Sequence, residues 1–172
     1  MISDHHIFNN PEKVNIMKMI DKTISQFIDY YSEINMRPPH ILNEIYHPDV
    51  ILIDPFGCYY GLNKLKKALS PLVLNLNVHY LLTDEPLRND RSFAITWTLY
   101  WSHPILTFNT IAELNGCTYA CIYKGKIISQ ENYYDLGEFL YEKIPLLKCA
   151  IKKIKINQMN EDPDAASDSD HG

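Results

Sequence analysis

The stretch "ILIDPFGCYYG" ends an apolar run on a carboxylate, Asp54, and turns at once through Pro55, Phe56 and Gly57. Three roles are open to that side chain. It can hold the turn by accepting backbone N–H groups, as aspartates ahead of Pro-x-Gly commonly do. It can move a proton, or it can contact a ligand without chemistry. The histidines are scattered: His47 in "YHPDV" reads as a loop residue closing a helix, and His103 stands at a strand end before Pro104. His79 alternates with apolar neighbours and could face a pocket. Cys58 and Cys149 are isolated, while Cys117 and Cys121 on one strand would lie about 13 Å apart, too far to bridge. Neither a CxxC nor an HxxxH spacing is present, so no metal and no cofactor are expected.

The elements that must position these residues follow from periodicity. From Glu12 to Ile34, Met17, Ile20, Ile24, Phe27, Tyr31 and Ile34 recur at three- and four-residue steps and predict an amphipathic helix. Pro38 and Pro39 open a short second helix, "PPHILNEIY". "VILID" predicts a strand ending at Asp54, residues 55–61 a loop, and Asn63 the cap of a third helix whose last turn Pro71 limits.

Beyond Asn77 the period becomes two. "NVHYLLTDE" and "RSFAITWTLYWS" read as strands joined by "PLRND", and the second sets Phe93, Ile95, Trp97, Leu99 and Trp101 on one face. "TFNTIAELNGCTYACIY" and "KIISQENYY" form a final hairpin about a Lys124-Gly125 turn. Asn115-Gly116 is either a tight turn or a bulge in one long strand. "DLGEFLYEKIPLLKCAIKKIKI" is helical, split or kinked at Pro145, with Asp135 placed to cap it. Helices interleaved with one early strand, followed by a run of antiparallel strands, argue an α+β fold with the helices on one face of a curved sheet.

The 172 residues are 46% hydrophobic and 22% charged, enough to bury a core without disulfides. The net charge of -5 is carried by residues 157–172, where Glu161, Asp162, Asp164, Asp168 and Asp170 meet no Lys or Arg, so residues 1–156 balance at zero. That tail is expected to be disordered. Residues 143–156 carry Lys143, Lys148, Lys152, Lys153 and Lys155 without an acid, a basic amphipathic helix whose ordinary role is a solvated face. An anionic membrane surface or a partner is the alternative. The charge balance does not make a nucleic-acid footprint. Without a leader or an apolar span, the expected location is cytoplasmic, with the inner membrane face as the variant. The organisation read from this is a flexible 1–11, a domain over 12–142, the helical extension 143–156 and the tail 157–172.

The order of these elements, with "YYSEI", "LNEIYHPDVILIDPFG" and "YKGKIISQENYYDLGEFL", resembles the nuclear transport factor 2-like superfamily over residues 12–142. Within it the chain is most similar to the SnoaL-like branch of polyketide cyclases, ketosteroid isomerases and limonene epoxide hydrolases. The resemblance implies helices closing an apolar pocket lined by the curved antiparallel sheet. In ketosteroid isomerases an Asp-Pro-x-Gly aspartate is the general base, and Asp54-Pro55-Phe56-Gly57 matches it. Counting back places Tyr30 where that family has its oxyanion-hole phenol, with Tyr31 as the alternative by helix periodicity. Counting from the "GKI" turn places Tyr119 at the second oxyanion donor. In epoxide hydrolases and cyclases an acid is found where this chain has Asn132, and "AITWTLYW" lacks the Arg-x-Asp pair of the hydrolases. Epoxide-hydrolase chemistry is therefore not expected.

The expected function is binding of a small hydrophobic molecule, steroid-, polyketide- or lipid-like, with isomerisation by proton transfer through Asp54 if the protein is an enzyme. A non-catalytic binder or an interaction module is the alternative. Asp54, Tyr30 and Tyr119 are the catalytic candidates. Tyr31, Phe56, His79, Trp97, Trp101, His103, Asn132 and Tyr134 are the ligand-binding ones. The expected partners are that apolar molecule and a second copy of the chain, with the lysine-bearing helix as a peripheral membrane contact.

Overall fold

A computed structural model describes residues 11–75 and 77–143. The chain divides into two compact units, Met1–Asp135 and Leu136–Gly172. The first opens with helix α1 (Pro11–Ser32), a 3-10 turn (Pro39–Ile41) and the single-turn α2 (Leu42–Ile45). Next come strand β1 (Tyr46–Asp54), β2 (Gly57–Tyr60) and helix α3 (Leu62–Asn75). Five strands complete it: β3 (Asn77–Thr83), β4 (Leu87–Arg88), β5 (Ser92–Ser102), β6 (Ala112–Tyr123) and β7 (Lys126–Tyr134). In the second unit, α4 (Leu136–Phe139) and a 3-10 turn (Tyr141–Lys143) are described. The rest of the lysine-bearing extension and the acidic tail lie outside the described residues.

One seven-stranded sheet runs in the order β2-β1-β7-β6-β5-β3, with β4 paired to β5. Every pairing is antiparallel except β1 with β7. This parallel contact makes the sheet a mixed one: the chain crosses the sheet and returns to lay its last strand beside its first. Alternation then assigns the faces. Leu52, Gln130, Ala120 and Phe93 stand in one register row across β1, β7, β6 and β5, and all are buried. Helix α1 covers this row, its Phe27 ring 5.4 Å from that of Phe93. The Thr23 hydroxyl ties the helix to the β6–β7 turn by donating to the Gly125 carbonyl at 2.8 Å.

Four expectations change. Residues 55–61 are not simply a loop: β2 folds back on β1 with Asp54 opposite Gly57. The third helix starts from Gly61 rather than Asn63, since Lys64 and Leu65 N–H both donate to the Gly61 carbonyl while Gly61 N–H donates to Val50. It continues through Pro71 to Asn75. His47 belongs to β1, where its Nδ1 accepts from the Asp49 N–H at 3.2 Å and fills an irregular step in the β1–β7 register. Asn115-Gly116 lies within one continuous strand, and the irregularity of β6 falls at Cys121/Ile122 instead. Gly116 is required by a close approach: a Cβ there would come within 2.3 Å of the Trp97 ring.

Candidate functional site

The site rests one register step beyond the buried row. Ile53 pairs with Glu131, so continuing the register sets Asp54 level with Asn132 on the helix-covered face of neighbouring strands. Asn132 pairs with Thr118, and Thr118 with Ile95. The next row is Tyr134, Gly116 and Trp97. The Tyr134 and Trp97 rings lie 6.1 Å apart, with only a glycine between their strands.

Asp54 divides its two oxygens between two environments. Oδ1 accepts the Phe56 N–H at 2.8 Å and the Gly57 N–H at 3.1 Å, which closes the turn. Gly57 adopts φ +154°, a conformation that side chains rarely allow. Oδ2 has no hydrogen-bond partner among the described residues. Burial pushes the carboxyl up from its ordinary 3.8, against the lowering effect of the two N–H groups. Its negative charge reaches the phenols of Tyr31, Tyr59 and Tyr134. Each of these is raised first by its own burial and further by Asp54.

From the helix side Tyr30 and Tyr31 both turn inward, their rings edge to face at 5.4 Å. Their hydroxyls differ. Tyr31 Oη lies 2.9 Å from Tyr46 Oη, and Tyr46 donates to Gln130 Oε1 at 2.5 Å. Since the single proton of Tyr46 is committed to Gln130, Tyr31 donates to Tyr46 and presents only lone pairs elsewhere. Burial holds the Tyr31 phenol up at about 12. The Tyr30 ring is buried and its pKa is raised by desolvation, while its hydroxyl has no hydrogen-bond partner among the described residues.

Three more side chains, Asn132, Thr118 and Trp97, complete the polar line. Gln130 Nε2 donates to Asn132 Oδ1 at 2.9 Å, and Thr118 Oγ1 donates to the same oxygen at 2.8 Å. Trp97 Nε1 donates to Thr118 Oγ1 at 3.0 Å. A continuous hydrogen-bonded chain therefore runs across the sheet from α1 to β5.

The other expected residues are not all brought here. Tyr119 faces the opposite side of the sheet, 44% exposed, with its Oη 3.7 Å from Cys121 Sγ. Phe56 is exposed at the turn. Trp101 is fully buried on β5, level with Ala112. His103 Nδ1 accepts the N–H groups of Ile105 and Leu106 and so organises the turn after β5. His79 lies in β3, and its side chain falls outside those described. Tyr46, Tyr59, Thr118 and Gln130 were not singled out from sequence. The signal available for Gln130 was its place two residues from Asn132, on the same face of one strand. A set of His, Cys, Asp or Glu residues able to hold a metal is absent among the described residues.

The sequence matches no protein-family model and no curated protein. Solved structures match the fold. A protein described as a SnoaL-like polyketide cyclase from Mesorhizobium loti superposes with a TM-score of 0.56 at 14% identity, over 69% of this chain and 98% of that one. A second so described, from a Jannaschia species, gives 0.60 at 11% identity over 69% and 87% of the two chains. This is the nuclear transport factor 2-like fold. A protein from Catenulispora acidiphila with a ketosteroid isomerase-like fold, solved with trimethylamine, gives 0.59 at 15% identity over 68% and 88%. At these identities the likeness is one of fold. No helix among the described residues is long and apolar enough to cross a membrane.

Proposed function

We propose that the helix-covered face around Asp54 is a ligand pocket in which an apolar carbonyl compound is isomerised by proton transfer. The observation that carries this reading is the division of labour at Asp54. One oxygen is locked to the turn, which fixes the carboxylate, and the other is unpartnered in a partly desolvated place that raises its pKa. A fixed, poorly solvated carboxylate is a competent base toward a C–H next to a carbonyl. Tyr30 supplies the phenol that stabilises the enolate oxygen, because the proton of Tyr31 is committed to Tyr46. Trp97, Tyr134 and Tyr59 give the apolar walls that a steroid-, polyketide- or lipid-like ligand requires. The test is deuterium exchange at the carbon next to the carbonyl of β-tetralone, an apolar ketone. The protein should catalyse it and Asp54→Asn should not; undiminished exchange by Asp54→Asn leaves Asp54 a turn residue in a non-catalytic binder.

For the other face of the sheet the proposed partner is a second copy of the chain. Ile51, Ile53, Tyr60, Tyr119 and Tyr133 are all exposed there, an apolar area larger than scattered single residues would make.

A further inference from the structure

The hydrogen-bonded chain runs with one polarity from Trp97 to Asn132 and from Gln130 to the same oxygen. An indole N–H can only donate, so Thr118 Oγ1 accepts from Trp97, and it donates its own proton to Asn132 Oδ1. Asn132 therefore presents its oxygen to Thr118. Gln130 meets that same oxygen, so it presents its NH2 group and keeps its own oxygen for the Tyr46 hydroxyl. Both donors converge on one atom, Asn132 Oδ1. The carboxamide is thus held in a single orientation, with its NH2 group on the opposite corner.

That NH2 group is unpartnered among the described residues, and it is not among the polar atoms sealed from solvent. It stands on the strand next to Asp54 and on the same face of the sheet. We infer that Asn132 is the second oxyanion donor of the site, its NH2 group fixed by Trp97, Thr118 and Gln130 so as to bind an anionic or enolic oxygen of the ligand. The inference rests on the proton-transfer reading of the pocket and gives the ligand a defining feature, an acceptor oxygen attached to an apolar body. Unlike an acid in that place, an amide donates at every pH and takes no part in moving protons. Asn132 therefore belongs to binding and stabilisation, and Asp54 alone moves the proton. Trp97 and Thr118 act through Asn132 and are positioning residues.

The experiment is binding of para-nitrophenolate, an apolar anion with an enolate-like oxygen, measured from the displacement of its visible absorption. Asn132→Asp keeps an oxygen for Thr118 and Gln130 but replaces the donors by a second oxygen. It should weaken binding by about tenfold or more at neutral pH, the usual loss of a hydrogen bond to a charged group together with like-charge repulsion. Much of the affinity for the anion should return as the pH falls and the new carboxyl regains a proton to donate. Trp97→Phe, which retains a ring over Gly116 without the N–H, should weaken binding by a few-fold with the fold intact. Equal binding by the wild type, Asn132→Asp and Trp97→Phe, or no binding by the wild type at millimolar probe, would overturn the inference. Asp54→Asn separates the two claims: it should abolish β-tetralone exchange and still bind para-nitrophenolate. Loss of exchange without any Asn132 effect on binding would leave the base assigned and this donor wrong.

Discussion

Asp54 shows how one carboxylate can be structural and reactive together. Its Oδ1 bonds to Phe56 and Gly57 place it, and burial raises it. The sign of the resulting pH effect follows. A carboxyl whose folded pKa lies above its unfolded value holds more proton in the native state, so stability falls as pH rises between the two values. Asp54→Asn should remove that slope in urea titrations at a series of pH values; a slope unchanged by the substitution would place the effect elsewhere. Tyr46→Phe tests the polar line at the same scale. It strands the Gln130 oxygen and the Tyr31 proton, and should cost about 1–3 kcal/mol in urea unfolding.

The strands, more than the helices, build the site, and their alternation made much of it readable from sequence. The even spacing of Phe93, Ile95, Trp97, Leu99 and Trp101 did place them on one face, opposite Ala120, Thr118, Gly116, Leu114 and Ala112. The strand ending at Asp54 and the Lys124-Gly125 turn were equally legible, because apolar runs and turn residues are local signals. What was not legible depends on pairing between distant segments. Nothing local shows that β1 lies beside β7, so the approach of Tyr46 to Gln130 could not be read. Nor could Tyr119 be separated from Thr118, since a shift of one residue exchanges the faces of a strand. Gly116 is the clearest element-scale case. It read as a turn or bulge, whereas its role is to admit the Trp97 ring. Gly116→Ala should therefore cost about 1–3 kcal/mol by overpacking, measured by thermal or urea unfolding, and should weaken ligand binding through the displaced indole.

At the scale of the molecule, one sheet serves two faces with opposite characters. The covered face carries a buried polar line within an apolar core, and the other carries exposed Ile53, Tyr119 and Tyr133 around Glu131. If a second copy covers that outer face, sedimentation equilibrium should give a dimer at micromolar concentration. Ile53→Lys combined with Tyr119→Lys should give a folded monomer; a monomeric wild type would remove the proposal. The fold itself does not choose among functions, since it is shared with structures of under 25% identity. The choice rests on Asp54. The most direct measurement is the pH dependence of β-tetralone deuterium exchange, compared between the wild type and Asp54→Asn. The account predicts a single acidic limb in the wild type, displaced upward from the ordinary carboxyl value of 3.8, and a loss of at least about 100-fold in the variant at all pH values. Exchange by Asp54→Asn at the wild-type rate, or a wild-type rate no faster than buffer, would contradict it.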